Sequence, residues 1–153
     1  ETPDMKGKPY SVVIDYAHTP DGLENILRAV AAHKKGRLIC VFGCGGNRDR
    51  KKRPIMGEIA ARYSDFCVLT SDNPRYENPD MIIEEIASGI PTGYKAFVKI
   101  ENRYQAIKYA MQNAGKDDII VIAGKGDEDY QEIAGVKHRF SDRETVAQLL
   151  DEV

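Results

Sequence analysis

Two guanidinium groups and a run of three carboxylates, each placed after an apolar run, are the side chains here best suited to holding a small charged molecule. Arg75 ends Ser71-Asp72-Asn73-Pro74-Arg75, directly after Phe66-Cys67-Val68-Leu69-Thr70, which reads as a buried strand. Proline has no N–H to extend a strand, and it pushes Asn73 towards extended backbone, so the chain must leave the sheet here. A guanidinium grips a carboxylate through two parallel N–H bonds, which a lysine ammonium cannot do. Arg48 follows the turn Gly43-Cys44-Gly45-Gly46-Asn47. Asp127, Glu128 and Asp129 lie together in Gly124-Lys125-Gly126-Asp127-Glu128-Asp129-Tyr130, after the most apolar run of the chain. Adjacent carboxylates are usually solvated, but at the end of so buried a strand one of them is expected to face inward.

Weaker candidates share the same setting. Asp15 ends the first apolar run and either accepts a ribose hydroxyl or caps the following turn. His18, between a strand end and a helix start, either touches a nucleotide or caps that turn. The glycine turn fails as a dinucleotide fingerprint, because Arg48 stands where the third glycine belongs, and it fails as a P-loop, because no Gly-Lys-Ser/Thr closes it. Its glycines still let backbone N–H groups approach an anion, beside a basic run and a helix N-terminus. Arg50 to Arg53 read either as part of that anion site or as a solvated surface run. No aromatic residues interleave the basic ones, which argues against a nucleic-acid surface. The acidic loop lacks EF-hand spacing, and no metal site is expected.

These residues need a frame that brings strand ends together. Apolar runs over Ser11 to Asp15, Leu38 to Phe42, Phe66 to Thr70, Ala96 to Ile100 and Ile119 to Ala123 read as strands. Helical periodicity separates them. Thr19-Pro20 starts a helix closed by Gly36, and a second runs from about Pro54 to Tyr63. Asn78-Pro79 starts a third that runs to Gly89, and Asn102 caps a fourth closed by Gly115. Beyond Gly124, residues 131–140 read as a small hairpin or an added antiparallel strand. Ser141-Asp142-Arg143-Glu144 is a capping box that starts a last helix. The alternation predicts an α/β, Rossmann-like doubly wound sheet of about six mostly parallel strands with helices on both faces. In such sheets the loops at the carboxyl ends of the strands bind ligands, and every candidate above falls in that set.

Composition excludes several classes. The 153 residues fit one domain with a real core, and a hydrophobic share of 42% with 30% charged residues is ordinary for a globular protein. A formal charge of −2 gives no electrostatic case for nucleic acid or an anionic membrane. No run approaches the ~18 apolar residues of a membrane span, and the first residues carry no signal-peptide core, so a cytoplasmic location is expected. Cys40, Cys44 and Cys67 form no CxxC pair, and the histidines do not cluster with them. A structural zinc site is not expected.

Four motifs in one order closely resemble the C-terminal domain of the Mur ligases, in the branch that adds 2,6-diaminopimelate to UDP-N-acetylmuramoyl-L-alanyl-D-glutamate. They are Asp15-Tyr16-Ala17-His18-Thr19-Pro20-Asp21, Gly43 to Asp49, Asp72-Asn73-Pro74-Arg75 and Gly124 to Gln131. The resemblance runs from about Val12 to Leu150. It implies a cytoplasmic, ATP- and Mg²⁺-dependent ligase of peptidoglycan synthesis. ATP phosphorylates the glutamyl carboxylate, and the incoming amine attacks the acyl phosphate.

By the same resemblance, Asp72-Asn73-Pro74-Arg75 recognises meso-diaminopimelate, with Arg48, Gly124 and Glu128 at the other positions that contact it. Asp15 and His18 match the segment near ATP. The family commonly has histidine where this chain has Asp127. The implied division is 1–10 as a linker from a central domain and 11–153 as the amino-acid-binding domain. The partners implied are the central and N-terminal domains of one monomeric enzyme, UDP-N-acetylmuramoyl-dipeptide, ATP and meso-diaminopimelate. No catalytic residue is expected in this domain, because the chain has no P-loop and no magnesium-holding set. It is expected to fold alone without forming the amide bond. The alternatives are a stand-alone amino-acid or anion-binding module, or a ligase relative that takes lysine or works on folate polyglutamate.

Overall fold

The computed structural model describes residues 1–152. The apolar runs become β1 (Ser11–Asp15), β2 (Leu38–Phe42), β3 (Phe66–Leu69), β4 (Phe97–Lys99) and β5 (Ile119–Ala123). They form one sheet in the order β1-β5-β2-β3-β4, parallel throughout. Between them lie α1 (Pro20–His33), α2 (Lys52–Tyr63), α3 (Pro79–Ala87) and α4 (Arg103–Asn113), and α5 (Asp142–Leu150) ends the fold.

Alternate side chains of each strand serve opposite faces, as the two-residue repeat of a strand requires. Leu38, Cys40 and Phe42 pack with Leu23 and Leu27 of α1, Met56 and Ile59 of α2, and Ile82 and Ile86 of α3. Ile39 and Val41 face the other way, onto Ile107 and Met111 of α4 and Val146 and Leu149 of α5. Both faces of the central strands are therefore covered, and all five residues of β2 are buried.

Three helix starts are capped as their sequences predict. Thr19 Oγ1 accepts from Gly22 N at 3.1 Å, Asn78 Oδ1 from Asp80 N at 2.9 Å, and Asn102 Oδ1 from Gln105 N at 3.0 Å. The box at α5 is half made: Ser141 Oγ accepts from Glu144 N at 3.2 Å, but the Glu144 carboxylate pairs with Arg139 instead of returning to the cap. α2 starts at Lys52, before Pro54, which the first turn of a helix tolerates.

The sheet has five strands and not six. Residues past Gly124 form a separate antiparallel hairpin, β6 (Tyr130–Ile133) and β7 (Val136–Arg139). All four β7 residues are exposed, and only Gln131 of β6 is buried, so the hairpin has no apolar face to contribute to the sheet. The edge of β1 is met instead by the start of the chain, where Ile14 N donates to Glu1 O at 2.7 Å. Residues before Ser11 pack onto the domain: Tyr10 is buried, Met5 lies on the α4–α5 face, and Asp117 N donates to Pro9 O at 3.0 Å.

Candidate functional site

At the carboxyl ends of the strands a cleft of about 450 Å³ opens between the loops after β1, β2, β3 and β5. Arg48, Asp72, Asn73, Arg75, Gly124 and Glu128 all line it, and so do Tyr16, His18 and Lys52. Pro74 is buried beneath the loop and does not line the cleft. Asp15 does not line it either; its Oδ2 accepts from Ala17 N at 3.0 Å, the turn-capping alternative. His18 is exposed, with its ring 4.8 Å from that of Tyr16 and its Nδ1 3.1 Å from Tyr16 O.

Gly43 and Gly45 of the loop after β2 line the cleft, whereas Gly46 serves packing. A Cβ on Gly46 would lie 1.9 Å from Pro74 O, so this glycine lets the β2 and β3 loops touch backbone to backbone. Gly46 N donates to Asn73 O at 2.7 Å, and Asn47 Oδ1 accepts from Tyr76 N at 3.0 Å. Gly124 has φ +117°, and a Cβ there would meet Asp72 Oδ2 at 3.0 Å.

Three cations with no exposed surface tie these loops together. Arg53 donates to Gly45 O at 2.9 Å and to Glu77 Oε1 and Oε2 at 3.0 and 2.9 Å, joining the β2 and β3 loops, and reaches Glu85 of α3 at 3.1 Å. Arg103 grips Asp142 with two 2.8 Å bonds and donates to Ser71 O at 2.9 Å and Ala123 O at 3.3 Å. Lys125 Nζ donates to Asn73 Oδ1 and Tyr130 O at 2.9 Å and to Glu128 Oε1 at 3.3 Å. Asp72 Oδ1 lies 3.1 Å from the same nitrogen, an ion contact without a hydrogen bond. The basic run thus divides: Arg50 is an exposed partner of Glu85, Lys52 lines the cleft, and Arg53 is internal.

The hairpin completes the wall. Arg75 sits at φ +54°, unusual for a side-chain-bearing residue. Its backbone is held by β6 on both sides, Arg75 N donating to Glu132 O at 2.9 Å and Ala134 N to Arg75 O at 2.6 Å. Glu132 N donates to Asn73 Oδ1 at 2.9 Å, and Gln131 Nε2 to Asp72 O at 2.7 Å. The Arg75 guanidinium gives Nη1 to Gly46 O at 2.9 Å and makes an ion pair with Glu132, Nε to Oε1 at 3.6 Å, without a hydrogen bond. Nη2 has no hydrogen-bond partner among the described residues. Arg48 is exposed and, among the described residues, bonds only its neighbour's carbonyl, Asn47 O, at 2.9 Å.

The charges are firmly set. The Arg53 guanidinium holds the Glu77 carboxyl down at about 2 despite partial burial, helped by the Asn47 N–H. Burial pushes the Cys44 thiol up to about 12, so the one cysteine in the lining is a neutral thiol and not a nucleophile. Among the described residues, no three of His, Cys, Asp and Glu lie together to hold a metal ion. Sequence reasoning gave no role to Lys125, Glu77 and Glu132, and it read Arg53 only as part of an anion site or a solvated run, not as an internal tie. The only signal for them was a charged residue inside or beside each motif, which a solvated loop would also show.

Known proteins match this arrangement. The family model for the Mur ligase, glutamate ligase domain, matches residues 4–126. A UDP-N-acetylmuramoyl-L-alanyl-D-glutamate–2,6-diaminopimelate ligase of Caldanaerobacter subterraneus subsp. tengcongensis is 53% identical over 146 residues, 95% of this chain and 30% of the relative. The Syntrophomonas wolfei protein of the same name is 55% identical over 145 residues, 94% of this chain and 30% of the relative. A solved structure of a ligase of that name superposes with a TM-score of 0.93 at 42% identity, covering 99% of this chain and 31% of that one. A bifunctional folylpolyglutamate synthase/dihydrofolate synthase shares the fold, with a TM-score of 0.63 at 14% identity, 99% of this chain and 30% of that one. The chain thus spans about 30% of the length of the curated relatives it matches. It belongs to the Mur ligase family, and what it carries is that family's glutamate ligase domain.

Proposed function

We propose that this chain is the amino-acid-binding domain of an ATP-dependent ligase that joins meso-diaminopimelate to UDP-N-acetylmuramoyl-L-alanyl-D-glutamate in cytoplasmic peptidoglycan synthesis. The carrying observation is that Arg75 shares one cleft with Arg48 and Glu128, although the three come from different loops. Meso-diaminopimelate differs from lysine by a carboxylate on its distal carbon. Arg75 grips that carboxylate, Glu128 takes the distal ammonium, and Arg48 adds positive charge at the mouth. Asp72, Asn73, Pro74 and Gly124 shape the wall. A site built to pair a group rejects the analogue lacking it, because its own charge is then left unpaired.

ATP supplies the phosphoryl group that activates the glutamyl carboxylate. Toward it this chain offers the Tyr16–His18 side of the cleft and the Lys52 ammonium, which donates to His18 O at 3.0 Å. Asp15 keeps the β1 turn in shape. Magnesium and the phosphates are assigned to the central domain, with residues 1–10 leading from it into the domain at 11–153. The enzyme is monomeric in this reading.

Titration calorimetry of the full-length protein with meso-diaminopimelate and with L-lysine tests it. Meso-diaminopimelate should bind at least about a hundredfold tighter, and Arg75→Ala should erase most of that margin. Equal affinity for the two amino acids, or an Arg75→Ala variant that keeps the margin, would sink the proposal.

A further inference from the structure

We propose that Lys125, which has no exposed surface and so touches no ligand, is a positioning residue that sets the charge preference of the cleft. The inference rests on the amino-acid reading above. Four acceptors from two loops converge on its ammonium within 3.3 Å: Asp72 Oδ1 and Asn73 Oδ1 after β3, Glu128 Oε1 and Tyr130 O after β5. Three protons cannot satisfy four acceptors, and Asp72 is the one left with charge contact alone. The Tyr130 ring, 5.6 Å away, closes over the group.

The consequence is electrostatic as well as mechanical. Ion pairs away from solvent are screened far less than surface pairs, so this charge acts on the cleft at nearly full strength. Three cations (Arg48, Lys52, Arg75) and three carboxylates (Asp49, Asp72, Glu128) line the cleft. The lining alone is neutral, and it stays so with the two charges directly behind it, Lys125 and the Glu132 that pairs with Arg75; without Lys125 the site would be net negative. A net-negative site would favour an amino acid that carries a net positive charge over the one with the additional carboxylate, and Lys125 keeps that bias from arising. Lys125 also fixes Glu128, so the carboxylate meant for the ligand ammonium is in place before the ligand arrives.

The test uses the full-length ligase carrying this chain, with ATP and the dipeptide nucleotide, and reads kcat/KM for meso-diaminopimelate and for L-lysine. In Lys125→Met the preference for meso-diaminopimelate should fall by about tenfold or more, through KM for the amino acid, with KM for ATP unchanged. Lys125→Arg keeps the charge and should hold the preference within about threefold of wild type. A Lys125→Met enzyme with wild-type preference overturns the inference. So does an equal loss of preference in both variants, which would make Lys125 a packing residue only. If Lys125→Met does not fold, Lys125→Arg decides: preference kept supports the inference, preference lost overturns it. A wild-type enzyme with no preference would instead bring down the amino-acid reading, and this inference with it.

Discussion

The two ends of the sheet solve opposite problems with opposite charges. At the amino ends, backbone N–H groups lack partners, and carboxylates supply them. Asp118 accepts from Arg37 N at 2.7 Å and Gly115 N at 2.8 Å, and Asp65 accepts from Leu38 N at 2.7 Å. At the carboxyl ends carbonyls lack partners, and cations supply them: Gly45 O, Ser71 O, Ala123 O and Tyr130 O all accept from Arg53, Arg103 or Lys125. Buried backbone polar groups must be paired, so each end draws the charge its orphans require. The depth differs too. The Arg37 side chain facing Asp118 is 50% exposed, whereas Arg53, Arg103 and Lys125 have no exposed side chain. One end meets its cation at the surface; the other is built around internal cations, and that is the end with the cleft of about 450 Å³.

If the contrast is real, removing a cation from the cleft end should hurt more than removing a carboxylate from the other. The largest effect is expected at Arg103, whose bidentate partner Asp142 is also fully buried. Arg103→Met leaves that carboxylate unpaired in the interior and should cost about 3–5 kcal/mol in urea unfolding. A loss under about 1 kcal/mol would break the comparison.

Arg53→Met is the intermediate case. Its partners Glu77 and Glu85 are each about a quarter exposed and can hydrate once released. A loss of about 1–3 kcal/mol is expected. Because Arg53 ties Gly45 to Glu77, the variant should also weaken binding of the amino acid. Unchanged calorimetric affinity would show that the β2 and β3 loops hold without it.

The smallest effect is expected at the amino end. Asp118→Asn keeps one acceptor oxygen and should cost about 1 kcal/mol with no change in amino-acid affinity. It should also flatten the acid limb of stability. Burial alone would raise the Asp118 carboxyl, but N–H bonds from Gly115 and Arg37 outweigh it and leave it below its ordinary 3.8. A carboxyl held low in the fold contributes its full stability above its ordinary value and loses it as pH falls through the folded value. For Glu77 that window runs from 4.5 down to about 2, and Asp118 acts below 3.8. Stability should therefore be insensitive to these two groups between pH 7 and pH 5 and fall below about pH 4.5. Melts that decline across the upper range would contradict both assignments.

Local signals carried most of the frame. Five apolar runs became five strands and the Thr19, Asn78, Asn102 and Ser141 caps formed, but β3 ends at Leu69, five residues ahead of Pro74. The hairpin was legible only as one of two readings, because four exposed residues in β7 look alike as a strand or a loop. Seven of the nine candidate ligand residues came to one cleft because parallel strands bring all their carboxyl-end loops to one rim. Asp15 and Pro74 share that rim but turn into the fold: one caps a turn, the other packs beneath the loop.

Determined by the sequence alone were the elements, the rim, and Arg75 at the exit from β3, since these depend on spacing and on chemistry within a few residues. Left to the tertiary structure was which basic residues are tools and which are scaffold. Arg50 and Arg53 stand in one run and look equivalent, yet one is a surface partner of Glu85 and the other is wholly internal. Lys125 sits among glycines and carboxylates as a loop lysine would, yet it is fully buried. A cation can be buried only where acceptors from several loops converge on it, and that convergence exists only once the strands have lined up.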